Sequence, residues 1–217
     1  VANVLYGSKN THSIDLKSII QHTLSVKKGI KKSLLIVDMP KGSYRNKNIA
    51  YKNAKLIMHV TKCDGVKLES NNKNFSVIKE LVKKKIPVMG HIGLLPQSIN
   101  KEGSYKVQGK KEDEWLRLQE DAEVLTESGA FCIVLETVVQ PLAEKITKSI
   151  PIPTIGIGSS VQCNGQILVT DDLLGLSGFY PKFVKKYVNL QKIIDKAVKK
   201  FKKDVQEKKF PKKINSY

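Results

Sequence analysis

The sequence predicts an α/β fold built from repeating strand-helix units around a parallel sheet. Six apolar runs of strand length, amphipathic stretches of helix length between them, and regular alternation of the two carry that reading. The runs are Ser33–Asp38, Gly65–Glu69, Pro87–His91, Phe131–Glu136, Pro153–Ile157 and Gln166–Thr170. Each is nearly continuous in apolar residues, as expected of strands covered on both faces. The spacing predicts helices over Asn46–Thr61, Asn74–Lys84, Glu112–Ser128 and Val139–Ser149, with Gly129 placed to stop the third. A further helix over Ser13–Lys28 has Asp15 near its start, Gly29 at its end, and His22 as a packing or hydrogen-bonding residue. Six units fall two short of a closed eight-stranded barrel.

At 217 residues and 24.3 kDa the chain is long enough for one sizeable core, so a single domain over 1–217 is expected. Residues 189–217 form a basic C-terminal helix and tail on it. The hydrophobic fraction of 41% excludes a disordered chain. No apolar run approaches the roughly 20 residues of a membrane span, and no secretory signal opens the chain. Cys63, Cys132 and Cys163 are odd in number and widely spaced, which predicts reduced thiols in a cytoplasmic protein. His12, His22, His59 and His91 never form a close ligand pair, so a soft-metal site is not expected.

The net charge of +18 raises a nucleic-acid reading. Only Arg45 and Arg117 are arginine, whereas base and bidentate phosphate recognition favour guanidinium. Residues 182–213 hold thirteen lysines against Asp195, Asp204 and Glu207. There Val188, Ile193, Ile194, Ala197, Val198 and Phe201 can form one helical face and leave the lysines in water. No nucleic-acid partner is therefore expected.

What ends the strands points to chemistry. Three runs close with Asp38, Glu69 and Glu136, and a fourth closes with His91. A strand-terminal acid is usually a cap or a surface charge, but strand ends of a parallel barrel share one mouth, so four polar ends imply a site. Asp38 and Glu69 are hard oxygen donors suited to Mg²⁺, which takes one or two carboxylates and keeps several waters. Lys67 shares a face with Glu69 and can meet a substrate anion. The glycine-dotted stretch Val88–Gly109 reads as a functional loop, and GIGSSVQCNGQ as a second loop matching no standard phosphate fingerprint.

LLIVDMPKGSY at 34–44, GVKLE at 65–69, VMGHIGLLPQSIN at 88–100, YKVQGK at 105–110, VLETV beginning at Val134, PTIGIG at 153–158, NGQILV at 164–169 and PKFVKKY at 181–187 together resemble the ketopantoate hydroxymethyltransferase family over nearly the whole chain. The resemblance implies a (β/α)₈ TIM barrel that assembles as a homodecamer and uses Mg²⁺. Its reaction moves a hydroxymethyl group from 5,10-methylenetetrahydrofolate to 3-methyl-2-oxobutanoate, giving 2-dehydropantoate and tetrahydrofolate. It further implies Asp38 as a Mg²⁺ ligand in contact with the keto acid, Glu69 as a second ligand, Lys67 and His91 as substrate contacts, and Glu136 as proton acceptor.

Family members carry an earlier Gly-Asp-Ser segment, and the resemblance places VANVLYG just after it. The expectation is a barrel lacking its first two strands, with little or no activity from residues 1–217 alone. Lys41 replaces a common Phe, GIGSS a commoner GIGAG, Asn164 a common Asp, and Asp171-Asp172 a frequent His-Asp. Another enolate-forming barrel enzyme of the phosphoenolpyruvate and pyruvate group, and an inactive remnant, are the competing readings.

Overall fold

The computed structural model describes residues 1–8, 11–99, 106–178 and 180–217, and these form two compact units, Val1–Ile167 and Leu168–Tyr217. In the first unit two helices, α1 (Ala2–Tyr6) and α2 (Leu16–Gly29), precede the sheet. Then β1 (Ile36–Asp38), α3 (Lys47–Thr61), β2 (Gly65–Glu69), α4 (Phe75–Lys83), β3 (Val88–Gly93), α5 (Glu112–Glu127), β4 (Cys132–Glu136), α6 (Gln140–Ser149), β5 (Thr154–Ile157) and β6 (Gly165–Gln166) alternate. The six strands lie in sequence order and every neighbouring pair is parallel. This is an α/β fold consistent with a partial TIM-type barrel.

Alternation along the strands divides the core in two, because successive side chains leave opposite faces. Val37, Val66, Leu68, Val88, Ile92, Ile133 and Leu135 pack with the buried stripes of α3 to α6, including Ile57, Ile78, Leu81, Leu125, Leu142 and Ile146. Gly90 lets α5 press close: a Cβ there would fall 2.7 Å from Leu125 Cδ1. The opposite face is floored by Met89, Cys132 and Val134, with Ile36, Phe131, Ile155 and Ile157 against them.

Two helices of this unit, α2 and α3, start on a side-chain cap. Asp15 Oδ1 accepts from the Ser18 amide at 2.8 Å, and Asn46 Oδ1 from the Ile49 amide at 2.9 Å. The Asp15 carboxyl is held below its usual range by that Ser18 bond. His22 hydrogen-bonds the Tyr6 hydroxyl at 2.8 Å.

Two expected strands are shorter than their apolar runs. Leu35 leaves the first because its amide donates to Asp64 Oδ2 at 2.7 Å while its carbonyl accepts from the Asp64 amide. The sixth, expected over Gln166–Thr170, ends at Gln166. The Ile167 amide makes a last bond to the Gly156 carbonyl, and Thr170 opens a new helix, α7 (Thr170–Leu174). Asp171 and Asp172 in its first turn favour that start. Conversely, β3 runs on to Gly93, which pairs with Glu136.

In the second unit, Gly175 closes α7 with φ +70° and Asn189 caps α8 (Leu190–Gln206) through the Lys192 amide. Phe201 and Phe210 meet edge to face at 5.4 Å, and a short 3₁₀ turn, η1 (Lys213–Asn215), follows. The expected apolar stripe of α8 exists, but Ile193, Ile194, Val198 and Phe201 are exposed. Among the described residues no helix is long and apolar enough to cross a membrane.

Candidate active site

The carboxyl ends of β1 to β4 carry a polar layer above the apolar floor. Asp38 and Lys67 are register partners across β1 and β2, and Lys67 Nζ lies 2.9 Å from Asp38 Oδ1. The same ammonium reaches His91 Nδ1 at 3.4 Å, and His91 Nε2 lies 3.1 Å from Glu136 Oε2. Four of the five residues picked from sequence thus form one continuous chain, Asp38, Lys67, His91 and Glu136, across four strands. Asp38 is half exposed, Lys67 and Glu136 are partly buried, and His91 is only 2% exposed. The 3.1 Å approach lacks the alignment of a hydrogen bond, so His91 Nε2 is a buried polar atom with no hydrogen-bond partner.

Glu69, the fifth residue, sits beside that chain and clamps the loop after β3. Its Oε1 accepts from the Gln97 amide at 2.5 Å and its Oε2 from the Ser98 hydroxyl at 2.8 Å. Burial pushes the Glu69 carboxyl above its usual range, and the nearby Asp38 charge adds to this against the opposing hydrogen bonds. Tyr44 is raised as well, by burial and then by the charges of Glu69 and Asp38, which keeps its hydroxyl a donor.

Gln97 is a hub that sequence reasoning gave no role. Besides its amide bond to Glu69, its Nε2 donates to the Met39 carbonyl at 3.0 Å and its Oε1 accepts from Tyr44 at 3.1 Å. The PQS triplet is the available signal, since a glutamine directly after the apolar Leu94–Pro96 run needs several partners once buried. Thr137 gave no signal. It follows Glu136 with φ +54°, rare for a β-branched residue, and its Oγ1 is buried without a hydrogen-bond partner.

Of the two expected loops, residues 100–105 of the first lie outside the described residues, including Tyr105 of YKVQGK. The described end of that segment docks beside β4: the Gln108 amide donates to the Thr137 carbonyl, and the Val139 amide to the Gln108 carbonyl. In the second loop Ser159 accepts from the Val138 amide and donates to the Leu135 carbonyl. Lys41 Nζ lies 3.1 Å from His12 Nε2. Burial raises the Cys132 thiol, so it stays protonated. A separate cleft of about 530 Å³, lined in part by Arg45, Lys47, Lys73 and Ser76, contains none of the strand-end acids.

Among the described residues no group of three or more His, Cys, Asp and Glu is arranged to hold a metal. The donors that are present nonetheless suit a hard divalent cation that keeps its waters. Asp38 and Glu69 are close enough to repel, and each singly engaged Glu69 oxygen retains a second lone pair.

The sequence profile of the ketopantoate hydroxymethyltransferase family matches residues 1–213. The 3-methyl-2-oxobutanoate hydroxymethyltransferase of Pelagibacter ubique (strain HTCC1062) is 49% identical over 217 residues, which is 100% of this chain and 83% of that protein. Its counterpart from Bartonella tribocorum (strain CIP 105476 / IBS 506) is 45% identical over 212 residues, 97% of this chain and 78% of that one. A solved structure from Burkholderia cenocepacia J2315, described as a lyase/mutase, superposes with a TM-score of 0.50 at 12% identity. It covers 92% of this chain and 69% of its own, a likeness of fold alone. With half the residues shared along its whole length with one such relative, and the family profile spanning nearly all of it, the chain belongs to the ketopantoate hydroxymethyltransferase family.

Proposed function

We propose that the protein transfers a hydroxymethyl group from 5,10-methylenetetrahydrofolate to 3-methyl-2-oxobutanoate, forming 2-dehydropantoate and tetrahydrofolate. The observation that carries this reading is the row of polar side chains from Asp38 to Glu136, each within 3.4 Å of the next, over an apolar floor. In it a cation, Lys67, pairs with the half-exposed Asp38 carboxylate on one side and meets His91 on the other, beyond which Glu136 is placed to act as a base.

Lys67 meets the negative charge of the keto acid, which binds at the Asp38 end. Glu136 removes the C3 proton: the C3–H bond breaks, an O–H bond forms on the carboxylate, and the electron pair enters the C2–C3 bond to give an enolate. A water supplies its oxygen to the folate-borne methylene carbon and its two protons to the folate nitrogens as both C–N bonds break, giving tetrahydrofolate and formaldehyde. C3 of the enolate then bonds to the formaldehyde carbon, the C=O pair moves onto oxygen, and the proton held by Glu136 passes to that oxygen to complete the hydroxymethyl group. Asp38 and Glu69 would hold Mg²⁺, whose charge would withdraw electrons from the substrate carbonyl and ease deprotonation. Met89, Cys132 and Val134 exclude water from beneath the reacting atoms, so the charges above interact in a low dielectric. The same reading extends to a (β/α)₈ plan, a cytoplasmic setting and a homodecameric assembly.

The test is to incubate the gene product with Mg²⁺ and 3-methyl-2-oxobutanoate in D₂O and to follow the C3 proton by NMR, then to add methylenetetrahydrofolate. Exchange at C3 followed by 2-dehydropantoate formation is expected. Turnover of a phosphoenolpyruvate-type substrate with neither event would replace this function with the other enolate chemistry.

A further inference from the structure

We infer that His91 is a positioning residue for the base: a neutral ring that accepts from Lys67 at Nδ1, presents Nε2–H to Glu136, and so turns the second carboxylate oxygen toward substrate. The inference rests on the reading of Glu136 as the base and adds a role that substrate contact alone does not give His91.

The tautomer follows from the donor inventory. A lysine ammonium has three donors and no acceptor, so the 3.4 Å approach of Lys67 Nζ makes Nδ1 the bare nitrogen. A neutral imidazole has one N–H, which then lies on Nε2. The ring is 2% exposed, and this N–H has no hydrogen-bond partner in the resting arrangement. An unpaired buried donor is costly, and the nearby acceptors narrow its choice. Glu69, on the neighbouring strand, keeps a lone pair on each oxygen, but both oxygens are held toward the Gln97–Ser98 turn, and no contact joins either to the ring. Glu136 Oε2, already 3.1 Å away, needs only a small reorientation to accept.

That bond occupies Oε2 and leaves Oε1 for the C3 proton. In the transfer the C3–H bond breaks, Oε1–H forms and the pair enters the enolate, while the imidazole keeps its proton throughout. The route from Asp38 through Lys67 and His91 also ties the end that receives the substrate anion to the orientation of the base.

Two amide variants separate the halves of this role. In H91N the shorter side chain retains an acceptor near Nδ1 for Lys67 but cannot reach Glu136. In H91Q the longer side chain restores a donor near Nε2. Measured on the gene product by C3 hydrogen exchange in D₂O and by steady-state turnover, H91N is expected to lose about 100-fold in kcat, the scale of a misplaced reacting group, with KM for the keto acid changed by less than about threefold. H91Q is expected to recover about tenfold of that loss. Equal loss in both variants, or a raised KM with kcat kept, overturns the positioning role.

Neutron diffraction from wild-type crystals gives an answer that does not depend on whether the variants fold. A deuteron on Nε2 with Nδ1 bare supports the assignment, and a deuteron on Nδ1 overturns it. A wild type that shows this tautomer yet exchanges no C3 proton would refute Glu136 as the base while leaving the ring geometry intact.

Discussion

Replacing Glu69 separates its clamp from its charge. In E69A the Gln97 amide and the Ser98 hydroxyl lose a shared carboxylate. Hydrogen bonds to charged groups contribute about 1.5–3 kcal/mol each. Gln97 is buried and its amide cannot be rehydrated in place, whereas Ser98 is exposed and can turn to water, so one full bond and part of another are lost. The expected cost is about 3 kcal/mol, or roughly 6–12 °C in Tm for a chain of this size. In E69Q the amide oxygen still accepts from Gln97 and the Ser98 hydroxyl rotates to accept from the new NH₂, while the burial penalty on the charge disappears. E69Q should therefore unfold within about 1 kcal/mol of wild type. Titration calorimetry should nonetheless show its Mg²⁺ uptake weakened by at least about tenfold, through loss of a hard anionic donor. Denaturant melts of both variants beside calorimetry decide the matter: if E69Q falls as far as E69A, the charge rather than the hydrogen-bonding shape holds the loop, and the reasoning fails.

Two further perturbations, at Asp121 and Gly93, have outcomes of definite sign. Asp121 has its carboxyl pushed up to about 6, first by burial and then by Glu120, against the favourable pull of Arg117. Its folded value exceeds the ordinary 3.8, so the native state binds the extra proton and stability falls as pH rises from about 4 to about 6. D121N should match wild type near pH 4 and exceed it at pH 7 by about 1 kcal/mol once screening by solvent is allowed for; a pH-independent difference in thermal melts would contradict this. At Gly93, φ is +95° and an added Cβ would overlap the Glu136 carbonyl oxygen and press on Val138. G93A should lose about 3 kcal/mol in denaturant unfolding and slow C3 exchange by displacing Glu136. A loss under 1 kcal/mol would mean that β3 and β4 separate easily.

Strands buried on both faces announced themselves as apolar runs, so β2 coincides with its expected Gly65–Glu69 span and β4 differs by one residue. Caps were legible for the same local reason: Asp15 and Asn46 satisfy amides only three residues away. Where local signals conflicted, the run alone misled. Ile167 to Val169 look like a strand, yet the acidic first turn of α7 and the short ladder to β5 end it at Gln166. The strand-end acids could be gathered because parallel strands deliver their ends to one side. That Lys67 meets both Asp38 and His91 could not be foreseen, since it depends on inter-strand register. The same is true of Gln97, whose partners are 28 to 58 residues away.

That arrangement of Gln97 has a dynamic corollary. One side chain and its own amide fasten the ends of three segments that otherwise share no covalent neighbour, so none of them can fray by itself without stranding a polar atom on the others. Opening near this end should be all or nothing, with amide protons at Met39, Ser70 and Gln97 exchanging as a single cooperative event rather than in the graded fashion of independent surface turns.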